Sequence, residues 1–354
     1  MYLDFYRLKK APFHITPDPE FLFLSPSHKA ALGALVYGIE ERQGFVTLVG
    51  EVGLGKTTIL RSYLERADQS QLKTIYIFNS NVSFSDLLKT ICREFGVDDA
   101  TDDVFETVNR LHQVLIDEYK QGRNVALIVD EAQHMPVETL EHLRMLSNLE
   151  TSTQKLIQIV LVGQPEFEDK LNEHALRQLK QRLVIRATIA PLTEEESLAY
   201  IGYRLMKVAT TDNPIFSKSA LRHIIKQARG TPRVLNVLCT NALIQGFGQQ
   251  RQRISAAIAR DVIAEYLGKK PRRAIRPRYI LISSVVLCAV LFWLSPYRQM
   301  LLPAIDFGRF LSQTVSGLLS EPTPSTPQPV IPRETPASRP APLSVPLPAP
   351  ALPA

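Results

Sequence analysis

The sequence has few cysteines, and the three that it has are far apart. Cys92, Cys239 and Cys288 show no metal-ligand or redox spacing. They therefore predict reduced, small apolar side chains rather than a disulfide framework or a zinc site. The seven histidines include no pair at ligand spacing on one predicted helix face, which argues against a metal site made of protein ligands. The N-terminus lacks the apolar core of a signal peptide, so the start of the chain is expected in the cytoplasm.

Acidic residues are missing from residues 269–278, which hold six basic ones. The whole chain has a formal net charge of +6, and removing these six from its 41 Lys and Arg leaves 35 against 35 Asp and Glu. The remainder is neutral on average, so its composition gives no argument for a nucleic-acid-binding surface on the main domain.

Glycine is also sparse, yet three glycines fall between residues 50 and 58. This stretch fits G-x-x-x-x-G-K-[ST] and lies between an apolar strand pattern and a helical pattern. Glycines let several backbone N–H groups face one anion, and the following helix adds its positive end. Lys56 suits the β- and γ-phosphates of ATP, and the Thr57 hydroxyl suits Mg²⁺. The predicted nucleotide-binding residues are Gly50, Glu51, Val52, Gly53, Leu54, Gly55, Lys56, Thr57 and Thr58.

Strand and helix patterns alternate from residue 44 to residue 191. The predicted strands are 44–49, 73–78, 124–129, 155–162 and 184–189. Several of them are continuous apolar runs, which is typical of parallel strands covered by helices on both faces. We therefore predict an α/β, doubly wound P-loop domain with a five-stranded parallel sheet at 44–191, followed by a small all-helical lid at 192–268.

The lead-in, residues 1–43, is rich in aromatic residues and proline. Segments before a strand of this type can fold over the adenine ring, and Phe13, His28 and Tyr37 are candidates to line that pocket. The alternative is that these side chains only pack the lead-in onto the core.

Residues 279–297 contain no charged side chain, and Tyr279, Trp293 and Tyr297 lie near the ends of this stretch. Its length suits one transmembrane helix, and aromatic residues are typical of the two membrane interfaces. The basic segment 269–278 predicts a single pass through a membrane, with residues 1–278 in the cytoplasm. The periplasmic part, 298–354, is expected to be a disordered tail, because residues 321–354 hold 12 of the 25 prolines.

Two acidic residues follow an apolar strand. Asp130 is placed to hold Mg²⁺ through water, and Glu131 to polarise the attacking water, which predicts hydrolysis. Gln164 ends the next strand and can reach the γ-phosphate or the water, or simply stabilise its loop. Asn79, beyond the second strand, either holds Glu131 inactive or caps the strand end.

Arginines complete the predicted catalytic set. Arg182, or alternatively Arg177, is a candidate to act in trans on a neighbouring subunit's nucleotide, although either can belong to a solvated helix face. Arg233 follows Gly230-Thr231-Pro232 at a predicted helix start. From there it can reach back to the γ-phosphate and couple the lid to the nucleotide state.

Several short stretches match one family. They are Phe5-Tyr6-x-Leu8, Pro12-Phe13, Thr16-Pro17-Asp18-Pro19, Leu24-Ser25, His28, Gly44-Phe45, Gly50-Glu51-Val52-Gly53, Asp130-Glu131-Ala132-Gln133, Gly163-Gln164-Pro165-Glu166 and Leu176-Arg177-Gln178-Leu179. Through them the chain resembles AAA+ ATPases. Within that class it resembles the general secretion pathway protein A family and the related ATPases of pilus and exopolysaccharide or exosortase systems.

The resemblance implies ATP hydrolysis by a homo-oligomer and an inner-membrane complex with a B-type secretion partner. Full-length members have a folded peptidoglycan-binding domain beyond the membrane, where this sequence has its proline-rich tail, so any peptidoglycan or periplasmic contact is expected through that tail. Two alternatives remain open. One is a DNA-associated ATPase like the transposition helpers, which the neutral charge balance disfavours. The other is a scaffold in which ATP only switches conformation.

Overall fold

The computed structural model describes residues 1–97, 103–211, 213–269, 284–288 and 290–291. The chain divides into two units, Met1–Arg272 and Arg273–Ala354. In the second unit, the described residues are helical.

The first unit contains the predicted α/β domain. Its strands are β1 (Phe45–Gly50), β2 (Leu72–Ile77), β3 (Asn124–Val129), β4 (Gln158–Gly163) and β5 (Ile185–Ile189). All pairings are parallel, and the strand order is β2-β3-β4-β1-β5. The prediction of a five-stranded parallel sheet is confirmed. The predicted start of β4 was three residues early, because Lys155 pairs with Glu150 and the Leu156 N–H donates to the Leu149 carbonyl instead of joining the sheet.

Helices cover both faces of the sheet. They are α2 (Pro26–Glu40), α3 (Lys56–Arg66), α4 (Phe84–Glu94), α5 (Val104–Lys120), α6 (Val137–Ser147), α7 (Pro165–Leu171) and α8 (Arg177–Arg182), with 3₁₀ turns at Pro19–Phe21, Ala132–His134 and His174–Leu176. Side chains of a strand alternate between the two faces. Accordingly, Phe45 and Val49 pack in one cluster with α4 to α8, while Val46 and Leu48 pack in another with α2 and α3. Each such buried side chain stabilises the fold by about 1.5–3 kcal/mol.

The lid is a helical bundle of α9 (Glu194–Val208), α10 (Lys218–Ala228), α11 (Pro232–Gly248) and α12 (Ala256–Tyr266). Thr193 and Glu196 form a reciprocal cap at the start of α9, as the sequence Leu-Thr-Glu-Glu-Glu indicates. A short N-terminal helix, α1 (Tyr2–Phe5), packs on this bundle.

The lead-in belongs to both parts of the first unit. Phe13 and Phe21 are buried in the lid cluster, whereas α2 packs against the sheet. The chain between them therefore crosses from the lid to the α/β domain. In the described parts of the chain, the three hydrophobic clusters lie between Tyr2 and Ile263, so residues 1–268 contain them whole and we expect this fragment to fold by itself.

The segments predicted at 269–278, 279–297 and 298–354 lie outside the described residues, apart from Lys269 and the helical residues 284–288 and 290–291. Among the residues that the structure describes, no helix combines the length and the apolar character that crossing a membrane requires.

Candidate nucleotide-binding site

The loop between β1 and α3 has the conformation that its glycines predict. Gly53 and Gly55 have φ angles of +81° and +98°, a region that side-chain-bearing residues rarely adopt. The Lys56 ammonium group donates to the carbonyl oxygens of Gly50, at 2.6 Å, and Glu51, at 3.2 Å. Lys56 is thus folded back over the loop, and its burial lowers its pKa despite the nearby carboxylates of Glu131 and Asp130.

The structure brings the two predicted magnesium residues together. The Thr57 hydroxyl donates to Asp130 Oδ2 at 3.2 Å, and the Tyr76 hydroxyl donates to the same oxygen at 2.8 Å. Hydroxyl and carboxylate oxygens are the ligands that Mg²⁺ prefers, and in nucleotide sites it takes the rest from phosphates and water. Such a site does not need three protein ligands. In the part of the chain that the structure describes, no group of three or more His, Cys, Asp or Glu side chains could hold a metal ion.

Glu131 is fixed by contacts on both its main chain and its side chain. Its φ of +53° is left-handed, and the Ser80 hydroxyl donates to its carbonyl oxygen at 2.8 Å. The carboxylate accepts from the side-chain amides of Gln133, at 2.6 Å, and Gln164, at 2.9 Å. Burial pushes the Glu131 pKa upward, but these amide hydrogen bonds and the Lys56 charge outweigh burial and lower the pKa overall. Glu131 is therefore ionised at neutral pH.

Gln133 is a site residue that the sequence reasoning missed. Its side-chain oxygen accepts from the Gln164 N–H at 3.2 Å while its amide donates to Glu131. It is the last residue of Asp130-Glu131-Ala132-Gln133, a stretch that matches the family, but the sequence reasoning gave it no role in the site. Asn79 does not contact Glu131. Its side-chain oxygen accepts from the Asn81 N–H at 3.1 Å, which is the alternative role, a cap after the end of β2.

The lid contacts the phosphate loop directly through Arg233. The Arg233 N–H donates to the Gly53 carbonyl at 3.2 Å. A β-carbon on Gly53 would come within 2.7 Å of the β-carbon of Arg233, so the lid can approach this closely only because residue 53 is glycine. The structure thus places the start of α11, and with it Arg233, at the loop.

A cavity of about 430 Å³ opens above the loop, between the lead-in, the loop and the lid. That volume suits a small organic ligand. Of the three predicted adenine-pocket residues, only His28 lines this cavity. Phe13 is buried in the lid cluster against Phe216, and Tyr37 is 55% exposed on the outer face of α2.

His28 connects the lead-in to the phosphate loop. Its Nε2 lies 2.9 Å from the Leu54 carbonyl oxygen, which can only accept, so Nε2 holds the proton. Its Nδ1 then accepts from the Ser25 hydroxyl at 2.6 Å. Burial lowers the His28 pKa, so the ring is neutral, and its two hydrogen bonds hold it in place at the wall of the cavity.

Comparison with known proteins identifies the domain. Residues 39–171 match the AAA domain family. General secretion pathway protein A of Aeromonas hydrophila is 39% identical over 255 residues, or 72% of this chain. Residues 39–171 therefore resemble an AAA domain, and the chain resembles general secretion pathway protein A. It spans 46%, about half, of that relative's length.

Solved structures agree with the AAA fold. The ORC2 protein of Aeropyrum pernix, solved with ADPNP and ADP, aligns with a TM-score of 0.55 and 17% identity over 73% of this chain and 72% of its own. The ORC1 protein of the same organism, solved with DNA, aligns with a TM-score of 0.54 and 18% identity over 73% and 70%. At these identities the likeness concerns the fold alone, which is that of AAA+ P-loop nucleotide-binding proteins.

The two candidate trans-acting arginines differ in their contacts. Arg182, at the end of α8, donates to the Ser147 hydroxyl at 2.8 Å and to the Asn148 side-chain oxygen at 2.5 Å. Arg177 is exposed at the start of α8, and within the described chain its side chain has neither a hydrogen bond nor an ion pair. Neither residue lines the cavity.

Lid side chains also hold the lead-in across the cavity. The Arg204 guanidinium donates to the Pro12 carbonyl at 3.0 Å, and the Asn236 amide donates to the His14 carbonyl at 3.2 Å. Tyr200 in turn donates to Asn236 at 2.8 Å. The two contacts to the lead-in have no local signal in the sequence, because their partners are 192 and 222 residues apart.

Proposed function

We propose that this chain is a membrane-anchored AAA+ ATPase that binds and hydrolyses ATP with Mg²⁺ to drive assembly or operation of a cell-envelope secretion system. One observation supports this most strongly. Thr57, Asp130 and an ionised Glu131 lie together beside the phosphate loop, at the carboxyl ends of β1 and β3. That is where a parallel α/β sheet binds its ligand.

Each residue has a distinct role in this proposal. The loop N–H groups and Lys56 hold the phosphates of ATP, and Thr57 and Asp130 hold Mg²⁺, which neutralises phosphate charge when bound. Glu131 accepts the proton of the attacking water. Gln133 and Gln164 keep the Glu131 carboxylate ionised and in place through their amide hydrogen bonds.

Gln164 and Arg233 link chemistry to conformation. Gln164 lies between β4 and α7 and contacts the base, so it can report whether a γ-phosphate is present. Arg233 lies where the lid meets the loop, so charge on the phosphates can draw α11 toward the site. In this way nucleotide state would set the position of the lid.

Tyr76 should tune the magnesium site. Its hydroxyl donates to Asp130 Oδ2, and burial together with the Asp130 charge raises the Tyr76 pKa, so the group stays a donor at every working pH. Tyr76→Phe removes one of the hydrogen bonds that orient Asp130, and we expect the Mg²⁺ concentration for half-maximal turnover to rise about tenfold with little change in kcat at saturation. Tyr63→Phe, at a buried tyrosine of α3, is the control. An unchanged Mg²⁺ titration for Tyr76→Phe would exclude a positioning role.

Arg182 is the proposed trans-acting arginine, with Arg177 as the alternative. Arg182→Ala should lower kcat by about 10³-fold, because such an arginine stabilises transition-state charge, while Arg177→Ala should retain most activity. Mixing Arg182→Ala with Glu131→Gln should restore part of the turnover, since each subunit supplies what its neighbour lacks. Absence of recovery in the mixture would assign Arg182 to its own α6 contacts, and inactivity of Arg177→Ala would transfer the role to Arg177.

The membrane and secretion parts of the proposal rest on sequence. The uncharged stretch 279–297 follows six basic residues, and the similar Aeromonas protein has a general secretion pathway name. We propose a homo-oligomer in the bacterial inner membrane, with a B-type partner and with the tail in the periplasm, where it can contact peptidoglycan.

Protease protection tests this placement. In spheroplasts of cells that express the chain, added protease should remove the tail beyond residue 298 and leave the AAA domain intact. Digestion of both parts, or of neither, would contradict the topology without affecting the ATPase assignment.

A further inference from the structure

The lid contains a long stretch without negative charge. Residues 213–260 include no Asp or Glu. The same stretch holds eight basic residues, namely Lys218, Arg222, Lys226, Arg229, Arg233, Arg251, Arg253 and Arg260. All eight are exposed. The neutral sum over the chain outside 269–278 therefore conceals a basic stretch within the lid, which has ten basic and six acidic residues over 192–268.

Most of these residues gather on one part of the bundle. Lys218, Arg222 and Lys226 are four residues apart on α10, which places them on one helix face. The parallel bridge between Phe216 and Ile254 makes α10 and α12 begin side by side, and the two helices pack together. Six residues make up what we call the lid basic face: Lys218, Arg222, Lys226, Arg229, Arg253 and Arg260.

These charges are not neutralised by the protein itself. Two partly buried arginines of the α/β domain pair with nearby acids, Arg123 with Glu118 and Arg144 with Glu141. On the lid basic face, none of the six side chains pairs with an acid among the residues that the structure describes. Uncompensated charge of one sign attracts a polyanion.

We propose that the lid basic face binds anionic phospholipid headgroups of the membrane. The chain itself argues for this partner. Helix α12 ends at Tyr266, which is 45% exposed, as is Leu267 after it. In the sequence, the basic segment 269–278 and the uncharged stretch 279–297 follow. Ten residues span at most about 35 Å, so the lid lies within reach of any bilayer that this stretch enters. Exposed aromatic and aliphatic side chains beside Lys and Arg are typical of a membrane interface.

Binding there would act on the nucleotide site. Helix α10 ends at Ala228, and the turn after it leads straight to Arg233 at the phosphate loop. Headgroups that hold the lid would therefore change how closely Arg233 approaches the loop between β1 and α3. The proposal uses the suggested membrane placement only to choose the partner; the basic face is independent of it.

The test uses residues 1–268, which hold the complete core but lack the basic segment and the uncharged stretch. This fragment should sediment with phosphatidylcholine vesicles that contain 30% phosphatidylglycerol, but not with pure phosphatidylcholine, and the binding should weaken as salt is raised. The triple variant Lys218→Glu, Arg222→Glu, Lys226→Glu should bind at least about 100-fold more weakly, because each basic residue near an anionic surface contributes about fivefold. ATP binding by the variant should be unchanged, which shows that it is folded.

A matched control reverses the same number of charges on the α/β domain, with Lys29→Glu, Arg66→Glu and Arg93→Glu, all at exposed positions. This control should keep its affinity for the anionic vesicles. Equal loss in both triple variants, or binding that ignores phosphatidylglycerol, would overturn the proposal. Retention of duplex DNA by a fragment that does not sediment with the vesicles would also overturn it and assign the face to nucleic acid. All three results leave the ATPase proposal untouched.

Discussion

Glu131→Gln should bind ATP as the wild type does but turn it over at least 100-fold more slowly. Glutamine keeps the size of the side chain and can still contact Gln133 and Gln164, so the site should stay assembled. It cannot accept a proton, and a general base contributes about 10²- to 10⁴-fold to a rate. Phosphate release and equilibrium ATP binding, measured on the same preparation, check both halves of this expectation.

A neighbouring glutamate provides the control. Glu166 lies in the first turn of α7, is exposed, and is one of the carboxylates that act on Lys56. Glu166→Gln should therefore remove a similar charge with little loss of turnover. Normal phosphate release by Glu131→Gln would exclude Glu131 as the base.

The pH dependence gives a second test of Glu131. Its pKa is held below the usual value of 4.5 by the two amides and Lys56. A base is active above its pKa, so turnover should show no loss from Glu131 between about pH 6 and pH 8. Replacing Gln164 with Leu removes one hydrogen bond to the carboxylate, which should raise the Glu131 pKa and move the acid limb of the kcat profile to higher pH.

Lys56→Ala should abolish ATP binding, with an affinity loss of at least about 100-fold. The Lys56 ammonium group is buried over the loop, 2.6 Å from the Gly50 carbonyl, where its charge is poorly screened from a phosphate. Arginine should not substitute for it, because a planar guanidinium group cannot reproduce the contacts of a compact ammonium group. Titration with a fluorescent ATP analogue measures the loss.

The controls for this variant separate binding from folding. Burial lowers the Lys56 pKa, which means that the fold pays a desolvation cost to hold the charge. Lys56→Ala should therefore unfold at a temperature equal to or above that of the wild type. Lys29→Ala, at an exposed position of α2, should bind ATP normally. Undiminished ATP binding by Lys56→Ala would contradict the nucleotide-site assignment.

The sequence predicted the parts of the site that depend on local patterns. The loop is continuous in sequence, and the strand before Asp130 is a continuous apolar run, so both could be placed without the structure. The contact between Thr57 and Asp130 follows from two strands ending at one edge of the sheet. The Tyr76 and Gln133 contacts could not be predicted, because they depend on β2 and β4 flanking β3, and strand order has no local signal.

The lead-in and the lid show two other limits of sequence reasoning. Aromatic residues of the lead-in indicated burial but not the partner, and Phe13 is buried against Phe216, which is some 200 residues away. The positive charge of one stretch of the lid was averaged away in a sum over the whole chain. A count over residues 213–260 alone would have revealed it.

Single-turnover phosphate release tests the central claim most directly. Limiting ATP is mixed with excess protein and Mg²⁺, and bound nucleotide and free phosphate are followed together, with Glu131→Gln in parallel. The account predicts stoichiometric, Mg²⁺-dependent phosphate release by the wild type and stable ATP binding without release by Glu131→Gln. Stable binding without release by the wild type, with and without membranes, would contradict it and identify a nucleotide-switched scaffold.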